Sequence, residues 1–165
     1  MIRIGFHTVP AKDAHEATML SVERGGRLLF EGTAHIGRGS KIFVSSGAEL
    51  VLGDNFAISA SSQIVCHERI QFGKDVQLSW DCLFMDSDSH VILNEQMQPN
   101  NPTKAIEVGD KVWVGCRSTI LKGSVIPSDC VVGACSLVAG GRFASHSVIA
   151  GIPAKSIKKI GGWKL

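Results

Sequence analysis

The run Asp86-Ser87-Asp88-Ser89-His90 gathers the residue types best suited to moving a proton in this chain of 165 residues. Imidazole exchanges its proton closest to neutrality, so His90 is a candidate general base toward an acceptor hydroxyl or amine. A carboxylate that accepts the second ring N–H would hold that imidazole in one tautomer. Asp86 and Asp88 are near enough along the chain to serve. Both also favour tight turns, because their short side chains bond their own backbone, so they read equally well as turn formers.

These residues fall between Cys82 and Val108, where the sequence loses a period that rules the chain on either side. Val108, Val114, Ile120, Ile126, Val132 and Val138 each follow the last by six residues. Small or modest residues precede most of them by two positions: Val112, Ser118, Ser124, Cys130 and Ser136. Glycine follows directly at Gly109, Gly115 and Gly133. Six does not match the helical period. It matches a solenoid whose coils have three flat faces, each with two inward residues two positions apart and then a tight corner. The spacing therefore predicts an all-β chain, a left-handed parallel β-helix of about 18 residues per coil.

Further back, Leu28/Phe30, Ala34/Ile36 and Ser40/Ile42 follow the same pairing. The register slips near Gly47 to Leu50/Leu52, then runs through Phe56/Ile58, Ser62/Ile64, Glu68/Ile70, Lys74/Val76 and Trp80/Cys82. Glu68 and Lys74 fall on inward positions, which requires a corner that frees them or a register displaced there. One domain is expected over residues 1–165, with three special segments. Residues 1–20 are a lead-in capping the open end as a strand and then a loop or short helix. Residues 83–107 are an extruded loop carrying His90, and residues 153–165 close the stack. A long loop at a corner is where function usually sits on such a scaffold. Ala139 to His146 reads as another corner loop, with Ile149 as the last inward aliphatic residue.

The pieces Val112-Trp113-Val114-Gly115, Ile120-Leu121-Lys122-Gly123, Val131-Val132-Gly133-Ala134 and Ala150-Gly151-Ile152-Pro153-Ala154-Lys155 recur in this order and spacing as one unit elsewhere. In them the chain resembles the hexapeptide-repeat acyltransferases, and within that family the branch that O-acetylates sugars of surface polysaccharides. The resemblance implies acetyl-coenzyme A as co-substrate, a homotrimer with sites at subunit junctions, and His90 as the base. It gives no secure orienting group for His90. Alternation puts Trp113 on the outer face, where a subunit contact would cover it; the resemblance implies a place for it beside the pantetheine arm. Cys116 and Ala134, like Gly115 and Gly133, are 18 residues apart and stack along one edge. Small residues there leave peptide groups open to an amide-bearing arm, as the family uses them, and ordinary corner packing explains the glycines equally. Where the family often has Thr-Lys, this chain reads Ala139-Gly140-Gly141-Arg142, which leaves Arg142 as the cation able to stand in. Lys155 matches the basic residue of the closing motif and could face the 3′-phosphate of coenzyme A.

The acceptor implied is a sugar or surface-glycan hydroxyl. The alternatives are N- or O-acetylation of a nucleotide sugar or of a small hydroxyl compound such as serine. A γ-type carbonic anhydrase shares the fold but needs closely spaced histidines. His67 and His90 have no such partner and His35 stands alone, so no metal is expected. A silent scaffold would explain the repeats but neither the His90 loop nor an outward Trp113. A net charge of +2 demands no nucleic-acid partner. No apolar run is long enough to cross a bilayer, and Met1 to His7 lacks the features of a signal peptide. Five scattered cysteines with no Cys-x-x-Cys pair read as reduced thiols, and the expected compartment is the cytoplasm.

Overall fold

The computed structural model describes residues 1–6, 9 and 15–164. Their strands wind into a left-handed parallel β-helix with three faces. Face one stacks β1 (Ile2–Phe6), β4 (Ala34–Gly37), β7 (Phe56–Ile58), β10 (Gln77–Leu78), β13 (Trp113–Val114), β15 (Val131–Val132) and β17 (Ser147–Gly151). Face two stacks β2 (Met19–Val22), β5 (Lys41–Val44), β8 (Gln63–Cys66) and β11 (Leu83–Met85). Face three stacks β3 (Arg27–Phe30), β6 (Glu49–Leu52), β9 (Arg69–Phe72) and β12 (Ile106–Val108). Two long strands, β14 (Thr119–Ile126) and β16 (Leu137–Arg142), run through the corner between faces two and three. Thr119 to Leu121 pair with β11, whereas Val125 and Ile126 pair with β12. The chain ends with β18 (Ala154–Lys159), which turns back antiparallel on β17.

The coil is the unit of hydrogen bonding. Each strand pairs with its equivalent one coil later: Trp113 lies opposite Val131 and Thr119 opposite Leu137, 18 residues on in sequence. Earlier coils are longer. Lys41 pairs with Gln63 and Gln63 with Leu83, steps of 22 and 20 residues. The difference lies at the corner between faces two and three, which takes residues 45–48 in one coil and 67–68 in the next. The slip near Gly47 is this longer corner.

Inward residues alternate along most strands of the stack, as the pleat dictates. All six aliphatic residues from Val108 to Val138 are buried. Phe56, Phe72 and Phe84 come from faces one, three and two and meet near the axis, with centroids 4.9 Å and 5.0 Å apart. The register of the middle coils differs from the sequence expectation. The inward pairs there are Ile70/Phe72, Val76/Leu78 and Cys82/Phe84, while Glu68 and Lys74 are exposed at corners and Trp80 is half-buried. Ile70, Val76 and Cys82 each open an inward pair instead of closing one.

Two corners are built from columns of left-handed backbone. Between faces one and two stand Ser61, Asp81, Arg117 and Cys135, with φ from 49° to 59°. Between faces three and one stand Asn55, Asp75, Lys111, Asp129 and His146, with φ from 52° to 60°. Asn and Asp tolerate that region; Lys111, Arg117 and Cys135 have no such preference. They are held there by the stack, since each N–H donates to a carbonyl of the coil before it: Lys111 to Lys74, Arg117 to Trp80 and Cys135 to Cys116. Cys66, Cys82 and Cys130 point inward as free thiols. Burial, and then the nearby Asp86, push the Cys66 thiol up to about 12.

At the open end, β1 and β2 already lie in the stack, on faces one and two. Leu20 and Val22 are partly exposed because no coil precedes theirs. The expected loop or short helix of the lead-in, including His7, falls largely outside the described residues. Phe72→Ala should cost about 3–5 kcal/mol in urea unfolding, since a cavity opens where three faces meet. A loss below 1 kcal/mol would mean the axis repacks freely.

Candidate active site

The extruded loop leaves the stack at the corner between faces two and three, and its neck is narrower than the expected 83–107. Leu83 to Met85 and Ile106 to Val108 are strands of the stack. The neck closes where the Lys104 N–H donates to the Asp86 carbonyl at 3.1 Å. Beyond it the loop folds on itself. Asn100 N–H donates to Ile92 O, Asn94 N–H to Gln98 O, and Leu93 bridges Pro99 in antiparallel fashion. His90 sits between neck and hairpin, exposed, lining a cavity of about 360 Å³ with Ser87, Ser89, Asn101 and Thr103.

The two aspartates before His90 do different work, and neither reaches its ring. Asp86 is fully buried. Its carboxyl oxygens accept N–H bonds from His67 at 2.7 Å and from Glu68 and Arg69 at 2.8 Å. It therefore caps the preceding coil's corner, and the expectation of a catalytic Asp86 is corrected: three amides occupy the side chain. Asp88 accepts from Lys122 Nζ at 2.5 Å and from Asn101 Nδ2 at 2.7 Å. The Lys122 bond, then the Asn101 bond, hold its carboxyl below the usual carboxylate range. This support is present above the ordinary carboxylate pKa of about 3.9 and fades only as pH falls through the lowered value.

The residues expected at the coenzyme fall in two places. Trp113 is 41% exposed on face one, with its indole N–H on Ser79 Oγ at 3.1 Å. Cys116 is half-buried and Ala134 exposed at the corner that follows. Lys155, exposed on β18 opposite Ala150, continues face one toward its end. Gly115 is a correction: it is buried, and a Cβ there would lie 2.6 Å from the Ala134 backbone nitrogen. Coil-on-coil contact explains that glycine, and it offers no open surface. Ala139 and Arg142 lie elsewhere, on β16 at the corner below the loop neck. Ala139 shares a cavity of about 400 Å³ with Asp88, Lys104 and Lys122.

Three participants escape a reading by period. Asn101 and Lys122 knit the loop to the stack. Trp163 in the tail donates to the Lys111 carbonyl at 2.7 Å and lies 6.2 Å from Trp113, centroid to centroid, flanking a cavity of about 230 Å³ with Ser59, Gln77 and Ser79. Among the described residues, no group of His, Cys, Asp or Glu side chains is placed to hold a metal, and no helix is long and apolar enough to cross a membrane.

Replacing Asp86 by Ala leaves three amides without an acceptor and should lower unfolding free energy by about 2–3 kcal/mol, measured by urea titration. Normal stability with lost turnover would return Asp86 to the chemistry.

No family profile matches the chain. In sequence it is 28% identical over 147 residues to a protein of Escherichia coli strain K12 provisionally named as the lipopolysaccharide biosynthesis O-acetyl transferase WbbJ, covering 84% of this chain and 74% of that one. Two further relatives at 26% identity are longer still, and the chain spans 63% and 41% of them. In fold it is similar to the polysialic acid-specific acetyltransferase NeuO, with TM-score 0.74 at 22% identity over 91% of this chain and 85% of that one. It is also similar to a galactoside acetyltransferase solved in complex with coenzyme A, with TM-score 0.57 at 20% identity over 87% of this chain and 66% of that one.

Proposed function

We propose that this chain, an acyltransferase built as a hexapeptide-repeat left-handed β-helix, moves an acetyl group from coenzyme A to a hydroxyl of a sugar or surface glycan, with His90 as general base. The observation that carries the assignment of the base is the His90 loop. It is a rigidly rooted hairpin with an imidazole at its mouth, beside a cavity of about 360 Å³ whose lining includes Ser87, Ser89 and Thr103. Hydroxyl-bearing walls suit a polyol acceptor, because they can both donate and accept. The relatives' names, an O-acetyl transferase of lipopolysaccharide biosynthesis and acetyltransferases for polysialic acid and galactosides, point the same way.

In the proposed reaction the acceptor O–H gives its proton to the unprotonated ring nitrogen of His90 as its oxygen attacks the thioester carbonyl. The tetrahedral intermediate collapses by breaking the C–S bond. The imidazolium then returns the proton to the departing thiolate, leaving acetylated acceptor and free coenzyme A. No covalent enzyme intermediate is needed. A peptide N–H lining the groove would steady the oxyanion, a contribution typically worth ~3 kcal/mol. Trp113 would line the pantetheine arm, with Cys116 and Ala134 leaving the corner backbone open beside it. Arg142 and Lys155 are the cations available to the phosphates.

The corner that bears the loop lies opposite face one in the three-faced coil, so the His90 loop and Trp113 leave one chain on different sides. This supports a site completed by a neighbouring copy, in a homotrimer. Replacing His90 by Ala should leave coenzyme binding intact and lower turnover at least ~100-fold, as followed by coenzyme A thiol release. Unchanged turnover would remove His90 from the mechanism. Co-assembling His90→Ala chains with Trp113→Ala chains should restore about a quarter of wild-type activity, the share of junctions holding both intact residues in random cyclic assembly. Activity that stays at the level of the separate variants would place both residues in one chain's site.

A further inference from the structure

We infer that Asn101 is the positioning residue for His90, an amide clamp that fixes the loop backbone just after the base, binds the Asp88 side chain before it, and refers both to the β-helix through Lys122. The inference rests on the reading of His90 as the base. The His90 ring has no hydrogen-bond partner among the described residues, so its direction is set by its backbone and rotamer. Three bonds from the Asn101 side chain set that backbone. Its Nδ2 donates to the His90 carbonyl at 2.8 Å and to Asp88 Oδ2 at 2.7 Å, while its Oδ1 accepts from the Ile92 N–H at 2.6 Å. The peptides on both sides of Val91 and the side chain two residues before His90 are thus tied to one planar group.

Only an amide of this length supplies two donors and an acceptor in that arrangement. A carboxylate lacks the donors, and an aliphatic side chain lacks all three. The clamp is rooted as well. Lys122, on β14 of the following coil, donates to the Asn101 carbonyl at 3.1 Å and to Asp88 Oδ2 at 2.5 Å. Asp88 therefore serves as the joint between clamp and stack, and not as a direct partner of the imidazole. Asn101 also lines the cavity beside His90. Both its donors and its carbonyl oxygen are already engaged, so its task is to hold the base and not to grip the acceptor.

The test uses the full chain as wild type, His90→Ala, Asn101→Ala and Asn101→Asp. Two readouts are taken: coenzyme A release from acetyl-coenzyme A with methyl β-galactoside as hydroxyl probe, and the ¹H–¹³C imidazole resonances of His90. Asn101→Ala should lower kcat ~10–100-fold, leave KM for acetyl-coenzyme A and the melting temperature near wild type, and shift or broaden the His90 resonance alone among the histidines. Asn101→Asp should be as poor near neutrality but regain activity relative to wild type as pH falls, because a carboxyl crowded by Asp88 takes up a proton and becomes a donor again. An unmoved His90 resonance in Asn101→Ala overturns the clamp, whether or not the probe is acetylated. So does an effect confined to acceptor KM, which would make Asn101 an acceptor contact. Full turnover in His90→Ala alongside a disturbed resonance would instead sink the general-base reading and leave the clamp standing.

Discussion

Peptide groups in this chain find their partners one coil away, and that constraint governs everything else. A strand of two residues such as β10 or β13 is too short to stand as part of an ordinary sheet. Here it is pinned above and below by neighbours of two or three residues running in the same direction. Cooperation along the stack replaces length along the strand, as in other repeat architectures. The price is paid at the corners, where residues with no liking for left-handed backbone must adopt it. Lys111, Arg117 and Cys135 do so because their N–H groups would otherwise lose the carbonyl of the preceding coil.

The same ladder accounts for how a flexible-looking segment can present chemistry. The corner between faces two and three varies along the stack: four residues in each of the first two coils, then two, then an extruded hairpin, then the unbroken strands β14 and β16. Asp86 closes the corner above the hairpin by taking three N–H groups, and Lys122 ties it from the coil below. His90 is therefore exposed yet referenced to rigid elements on both sides. A site supported this way keeps its geometry without being buried.

Much of this was legible in the residue order, and the parts that were not have physical reasons. The period from Val108 to Val138 is clean because each face of an 18-residue coil repeats one buried aliphatic side chain at the same inward position, six residues after the last. It blurs around Glu68 and Lys74 because longer corners shift the count without disturbing the pairing. The insertion was visible as a loss of period, though its neck was not, since Leu83 to Met85 and Ile106 continue the strands with less regular spacing. Asp86 and Asp88 look alike in sequence. Parity was the available signal: Cys82, Phe84 and Asp86 alternate inward, and the chain leaves the stack only after the third. Asn101, Lys122 and Trp163 act across 11 to 52 residues of sequence, through bonds that no local pattern encodes.

The narrow neck has a corollary for how such proteins diversify. Ile70 pairs with Ile106 and Phe72 with Val108 as if nothing lay between β11 and β12, so the hairpin can be lengthened, shortened or replaced wholesale while the scaffold folds as before. The insert and the architecture are then separable. A lineage could exchange the first like a cartridge, provided each new insert brought its own acceptors for the lysine beneath it.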